Sequence, residues 1–198
     1  MNIKKMTSYA KSLKILRETK ALIDGHFILS SGLHSPRYVQ CAQLLSNPTK
    51  ALSICRSLAA KIKKGASKFD IILSPAMGGI IIGYEIGKLL KTKTIFAERE
   101  NNIFRLRRNF FIKKKSKVLI VEDVITTGKS SLECKRLVSR YGAKVSAFAC
   151  IIDRTNGKSK IKEKIISQVK LNIPSYKKQD LPKALTKIKP IKPGSRKL

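Results

Sequence analysis

Apolar positions recur every three to four residues across residues 7–23, where Tyr9, Leu13 and Leu16 share a face, predicting a helix that Asp24-Gly25 stops. Short extended pieces follow at 27–30 and 38–41, around the turn-forming Ser31-Gly32 and Ser35-Pro36. Asn47-Pro48 supplies an N-cap and a first-turn proline for a helix running to Gly65, with Leu52, Cys55, Ala59 and Ile62 as its core stripe. From residue 69 the rhythm becomes strand, loop, helix. Strands are predicted at 69–73, 94–97, 117–121 and 144–152, with helices at 80–90 and 127–141. Gly79, Gly83 and Gly87, four apart, would let the first of these helices sit close to a sheet. A polar segment, 98–109, leads to Phe110-Phe111-Ile112. This alternation implies βαβ units and an α/β fold with a largely parallel sheet. After Arg154 the pattern weakens: 169–173 reads as one more strand, and the Lys- and Pro-rich end reads as a surface tail. With no internal repeat and no second boundary, the 198 residues are expected to form a single domain.

Charge is the feature that composition adds. Lys and Arg total 43 against 12 Asp and Glu, a formal net charge of +31. Polyanion binding is the first thought, since affinity grows with each phosphate neutralised. Yet Trp is absent, aromatics are only 6%, and the excess is mostly lysine spread through every segment. That pattern reads as a solvated surface with acidic small molecules as ligands, and no specific nucleic-acid partner is expected. The four cysteines (Cys41, Cys55, Cys134 and Cys150) form no CxxC pair, which favours reduced, buried thiols in a cytoplasmic protein over a zinc site. The N-terminus lacks the apolar region of a signal peptide, and the apolar run 71–90 is interrupted by Pro75 and Glu85, so no membrane partner is expected.

The informative stretch is 118–131. An apolar strand delivers Glu122 and Asp123 to its C-terminal edge, where ligands bind in open α/β sheets. Thr126, Thr127, Gly128, Lys129 and Ser130 then open a helix, whose outward N–H groups, hydroxyls and dipole suit a phosphate. Carboxylates just before a phosphate cradle can accept hydrogen bonds from the vicinal hydroxyls of a ribose. Together they describe a socket for ribose 5-phosphate. Gly128-Lys129-Ser130 imitates the end of a P-loop, but that motif needs glycine where this chain has Asp123. An ordinary capped helix would explain Thr and Gly but not two consecutive acids at the end of an apolar strand.

Glu122-Asp123-Val124-Ile125-Thr126-Thr127-Gly128-Lys129-Ser130 resembles the phosphoribosyl-pyrophosphate (PRPP) motif of type I phosphoribosyltransferases. Further segments resemble the orotate phosphoribosyltransferases in particular: residues 25–36 with 38–41 their N-terminal hood, 74–79 their pyrophosphate loop, 96–108 their mobile catalytic loop, 152–154 a strand end bearing an orotate-binding arginine, and 192–196 the closing residues of one branch. The resemblance spans nearly the whole chain. It implies a Rossmann-like core, about 48–155, under a small hood built from about 20–45 and part of the C-terminal segment. It also implies phosphoribosyl transfer from PRPP to N1 of orotate, giving orotidine 5′-phosphate and pyrophosphate in pyrimidine synthesis. Magnesium would arrive on PRPP rather than on direct protein ligands.

By the same resemblance, Glu122 and Asp123 hold the ribose hydroxyls, Thr126 to Ser130 hold the 5′-phosphate, Val124 and Ile125 belong to the same PRPP site, and Met77, Gly78 and Gly79 wrap the pyrophosphate. Arg154 pairs with the orotate carboxylate, helped by Thr126 and Ser31. Arg99 and Asp123 are the catalytic residues, in a homodimer whose loop would carry Arg99 into the neighbouring site. The chain departs from the familiar pattern at three places. No Lys or His occurs from 98 to 109, where Arg105, Arg107 and Arg108 supply the charge instead. Arginine does not readily release a proton, so the loop is expected to stabilise charge rather than shuttle protons. Gly78 stands where some members carry a lysine, and Ser30-Ser31 where many have Lys-Ser. His26 and His34 are expected in turn or surface roles, and Lys113, Lys114, Lys115 and Lys117 in a solvated turn. Two rivals stay open: transfer to another base such as a purine, and a PRPP-sensing regulator that binds nucleic acid without chemistry.

Overall fold

The computed structural model describes residues 7–29 and 31–193. Its central sheet has six strands: β3 (Ile71–Pro75), β4 (Thr94–Glu100), β5 (Ile103–Arg105), β6 (Lys117–Ile125), β7 (Lys144–Asp153) and β8 (Ile165–Lys170), ordered β5-β4-β3-β6-β7-β8. All pairings are parallel except β4 with β5, a hairpin in the segment where a polar loop was predicted. The crossover β3–α4–β4, through α4 (Gly78–Leu90), steps one way along the sheet. The crossover β6–α5–β7, through α5 (Lys129–Arg140), steps the other way. Right-handed connections then place the two helices on opposite faces. The core divides accordingly: Ile82 and Ile86 of α4 pack with Leu119 and Val121, whereas Cys134, Leu137 and Val138 of α5 pack with Val118 and Ile120. Between β3 and β6 the winding reverses, leaving a crevice at the carboxyl ends of those strands.

The glycine row on α4 does what its spacing predicts. A Cβ on Gly83 would collide with Ser74, one on Gly87 with Thr94, and one on Gly79 would lie 3.0 Å from the Val121 carbonyl. α3 (Pro48–Gly65) starts as expected, the Asn47 side chain accepting from the Lys50 N–H at 3.1 Å. Its buried stripe is broader than predicted, adding Ala51, Ile54 and Leu58, while Leu52 is only partly covered.

Other expectations need correction. The first helix, α1 (Tyr9–Glu18), ends five residues early. The Thr19 hydroxyl donates to the carbonyls of Ile15 and Leu16 at 2.8 and 3.2 Å, and Lys20 takes φ 56°, so the chain turns out of the helix there. Its buried face is Ser12, Ile15 and Leu16; Tyr9 stays exposed and donates its hydroxyl to the Lys170 carbonyl at 3.0 Å. Asp24-Gly25 lies instead within strand β1 (Leu22–Ile28), at a register shift against β2 (His34–Val39). A short helix, α2 (Cys41–Leu45), joins this separate two-stranded sheet to α3.

The C-terminal segment is not a loose tail. After a strand placed earlier than predicted, it crosses the hairpin: His34 and Tyr176 bridge, Ile191 bridges Phe27, and α6 (Lys183–Thr186) lies between. The residues 194–196 that contribute to the branch resemblance lie outside the described residues. His26 and His34, expected in turns or at the surface, are buried together. Nε2 of His26 stands 2.6 Å from Nδ1 of His34, and Nδ1 of His26 stands 2.8 Å from the Ile188 carbonyl. A carbonyl only accepts, so His26 donates from Nδ1 to Ile188, and the second bond joins the two rings. The pair thus ties the hairpin to the C-terminal segment.

The β8 edge is blunted by Lys61, whose ammonium donates to the Ser167 and Gln168 carbonyls at 3.1 and 2.7 Å. All four cysteines are free and buried. No described helix is long and apolar enough to cross a membrane.

Candidate functional site

The crevice where the sheet reverses is framed by two turns, one after β3 and one after β6. Strand alternation explains how a single strand serves both. On β6, Leu119 and Val121 face the α4 side and Val118 and Ile120 the α5 side, so the next two residues diverge. Asp123 faces α4, where a Cβ on Gly78 would lie 2.9 Å from its carboxyl atoms. Glu122 faces α5, where its Oε1 accepts a hydrogen bond from the Ser131 hydroxyl. Two acids that look equivalent in sequence therefore sit in different environments.

Those environments set their charge. Burial pushes the Glu122 carboxyl up to about 7, the Ser131 hydroxyl opposes that rise, Asp123 adds to it, and Arg99 opposes it. Burial also raises Asp123, against the N–H of Val124, which donates to Oδ1 at 2.8 Å. The Cys41 thiol lies 3.9 Å from the Asp123 carbonyl, beneath the site, and burial pushes it well above the ordinary thiol range. It is packing, not a nucleophile.

After β6, Val124, Ile125, Thr126, Thr127, Gly128, Lys129 and Ser130 curl around a cavity of about 120 Å3 that also touches Glu122 and Ser131. Gly128 takes φ 77° and precedes α5 with no side-chain cap on the helix. The first-turn N–H groups beyond that of Lys129 are thereby left for a ligand. The Thr127 hydroxyl accepts from the Lys129 N–H at 3.3 Å. Gly128 is also needed for space: a Cβ there would meet Ile161 at 2.9 Å. Ile161 belongs to the segment after β7, which the Lys135–Glu163 ion pair at 2.5 Å holds against α5.

The other turn carries Met77, Gly78 and Gly79. α4 starts at Gly78 without a side-chain cap, so the N–H groups of Gly78 and Gly79 are not taken up by a capping side chain. Met77 is 83% exposed.

Arg154 follows β7, its N–H donating to the Ile125 carbonyl at 2.8 Å. Its side-chain Nε is buried without a partner, and burial lowers its proton affinity. An orphaned guanidinium N–H beside the phosphate turn is a place for an anionic group.

Arg99 is held inside its own chain. It donates to Glu133 on α5 at 2.5 Å and to the Asn102 carbonyl at 2.8 Å, with its guanidinium 4.1 Å above the Phe104 ring. Arg105 pairs with Glu100 at 2.9 Å, and Arg108 makes two 3.0 Å bonds to Glu98. Ser31 sits exposed in the β1–β2 turn, with no recorded contact to the other site residues among those described, and Ser30 lies outside the described residues.

The structure therefore joins Glu122, Asp123, Gly78, the 124–130 turn and Arg154 around one crevice, with Arg99 at its side. Sequence reasoning missed Ser131, Glu133 and Ile161. For Ser131 a signal existed, since period-two alternation after Ile120 sends Glu122 toward the helix that follows.

Residues 41–179 match the phosphoribosyl transferase domain family. An orotate phosphoribosyltransferase of Parvibaculum lavamentivorans is 46% identical over 187 residues, covering 94% of this chain and 96% of the relative. One from Carboxydothermus hydrogenoformans is 43% identical over 184 residues, covering 93% and 96%. The crystal structure of orotate phosphoribosyltransferase from Aeropyrum pernix, 22% identical, superposes with a TM-score of 0.68 over 80% of this chain and 92% of that one, which supports the fold. With its split acid pair, phosphate turn and doubly wound sheet, the chain belongs to the orotate phosphoribosyltransferase family.

Proposed function

We propose the following division of labour for the reaction of this family, transfer of the phosphoribosyl group of PRPP to orotate in pyrimidine biosynthesis. The observation that carries it is the split of Glu122 and Asp123 between the two turns. Asp123, beside the Gly78 turn, accepts from a ribose hydroxyl on the side where diphosphate leaves. Glu122, steadied by Ser131, accepts from the neighbouring hydroxyl on the side of the 5′-phosphate. The first-turn N–H groups of α5 and the hydroxyls of Thr126, Thr127 and Ser130 hold that phosphate. Met77, Gly78 and Gly79 present backbone N–H groups to the diphosphate.

Arg154 pairs with the orotate carboxylate, and Thr126 and Ser31 border the base. Carbon 1 of the ribose loses diphosphate and gains N1 of orotate through a transition state with cationic sugar character, and the proton that N1 gives up passes to the departing diphosphate. Positioning and charge stabilisation, rather than a covalent nucleophile, lower the barrier.

Magnesium would arrive on PRPP rather than on direct protein ligands, with Asp123 and Glu122 holding the ribose hydroxyls beside it. When bound, the ion neutralises charge developing on the leaving group. Arg99 adds to that neutralisation without giving up a proton.

We extend the reading to a homodimer of one functional unit per chain, the hood of 20–45 and the C-terminal segment covering the core of 48–155. Met77, Ile81 and Tyr84 form an exposed stripe on α4 continuous with the diphosphate turn, a face that a second copy would cover. The resemblance sends Arg99 into the neighbouring site, which requires its ion pair with Glu133 to open. The reaction belongs in the cytoplasm, where four thiols stay reduced.

Purified protein mixed with magnesium, PRPP and orotate should consume orotate absorbance. Turnover with a purine but none with orotate would reassign the base.

A further inference from the structure

Only 12 acids face 43 bases in this chain, yet three of them, Glu98, Glu100 and Glu133, each hold an arginine of the 96–108 segment. Two of these pairs lie within the 96–108 segment itself. The Arg99–Glu133 pair alone among the three ties the hairpin to another element, and that element is α5, whose first turn frames the phosphate cavity. The same helix holds Glu122 through Ser131. Arg99 and Glu133 both stand close enough to Glu122 to bias its ionisation, in opposite directions. Between hairpin and helix a cavity of about 180 Å3 remains, lined by Asn102, Phe104, Glu133 and Arg136 among others. Contact there is therefore incomplete, and the ion pair bridges a gap.

Resting on the function proposed above, we infer that Glu133 is a positioning residue, a carboxylate that occupies Arg99 until diphosphate takes its place. Asn102 and Phe104 hold the guanidinium beside Glu133 at rest, with one of its faces against the ring. Glu133 supplies the anionic partner such a group needs while no diphosphate is present. A carboxylate carries one charge and diphosphate several, so the exchange runs toward substrate when PRPP arrives and back when diphosphate leaves. Because Glu133 competes for the same guanidinium, it weakens diphosphate binding and hastens release.

Glu133→Gln keeps the shape and removes the competing charge. Calorimetry with magnesium diphosphate should show about two- to five-fold tighter binding than wild type, the range expected for a partly exposed ion pair. KM for PRPP should fall by a similar factor, with kcat unchanged or lower and the melting temperature shifted by only a few degrees. The gain should vanish in an Arg99→Ala background, and Glu133→Asp should restore most of the wild-type behaviour. Unchanged or weaker diphosphate binding in Glu133→Gln, or the same gain without Arg99, would overturn the inference and leave Glu133 as a structural clasp. Wild-type orotate turnover, measured alongside, separates the two readings: its absence defeats the proposed function, whereas turnover without the Glu133→Gln gain defeats this inference alone.

Discussion

The two ends of the central sheet handle charge in opposite ways. At the carboxyl ends of the strands, acids and donors are few and each is held in place: Glu122, buried, by Ser131, Asp123 by the adjoining backbone N–H, and Arg99, exposed, by Glu133. At the amino ends lies a larger cleft, about 580 Å3, bordered by Lys115, Lys117 and Lys144 with Val145 and Ser146. There the lysines are exposed, and none of the three takes part in a recorded side-chain ion pair among the described residues. The nearby Asp70 accepts from the Lys117 backbone N–H at 2.8 Å rather than from an ammonium. Volume and positive charge are greater at the amino end; organisation is greater at the carboxyl end. Fixed dipoles in a partly dry crevice distinguish substrate from solvent, whereas mobile ammonium groups in water do little more than raise local anion concentration.

The comparison breaks most visibly at Asp123. Asp123→Asn keeps the side-chain volume beside Gly78 but removes the charge proposed to receive the ribose. Turnover of orotate should fall about a hundred- to a thousand-fold with the fold intact by circular dichroism. A loss below ten-fold would mean that the crevice does not rely on this carboxylate. Arg154→Ala should come next. It should raise KM for orotate about ten- to a hundred-fold while leaving PRPP binding nearly intact, because a charged donor is lost on one side of the turn only. Equal weakening of both substrates would show that Arg154 holds the turn together instead.

Ser131→Ala sharpens the contrast through pH. Glu122 has its carboxyl raised to about 7, chiefly by burial, and Ser131 pulls it down. In the proposed role the ionised form accepts from ribose, so kcat/KM should rise with pH through about 7. Removing the hydroxyl must move that limb to higher pH and lower kcat/KM about three- to ten-fold on its acid side. The stability of the ligand-free protein carries the opposite sign. A carboxyl raised on folding contributes stability that is full below its unfolded value and is lost as pH rises through about 7. A limb that stays put in Ser131→Ala would show that this bond does not set the Glu122 charge.

How much of this was legible in sequence differs between elements for physical reasons. The crossover units and the turn over 124–130 could be read because apolar runs, glycines and caps are local signals. The glycine row on α4 and the Asn47-Pro48 start behave as their spacing predicts. The β4–β5 hairpin was missed because its partner strand is three residues long and its stabilising pairs, Arg99 with Phe104 and Glu133, lie across space. The histidine pair was misjudged for the same reason: His26 and His34 are eight residues apart in sequence, and only the hairpin, with Ile188 from the far end of the chain, brings them together. Residue types at the site were readable; which face each acid took needed only strand alternation; who holds each side chain did not follow from either.

The smallest effect is expected where the charge is greatest in number. Replacing Lys115, Lys117 and Lys144 together by Gln lowers the net charge from +31 to 31 − 3 = +28 and strips the amino-end cleft of its cations. If that cleft acts only through the long-range field, kcat/KM at low ionic strength should fall by less than about two-fold. The difference should disappear once salt shortens the screening length well below the thickness of the domain. Wild type itself should lose kcat/KM as salt rises, because attraction of PRPP and orotate at a distance depends on the summed charge rather than on any one lysine. A larger loss in the triple variant that persists at high salt would assign the cleft a specific anion of its own, and the division between an organised end and a diffuse end would fail.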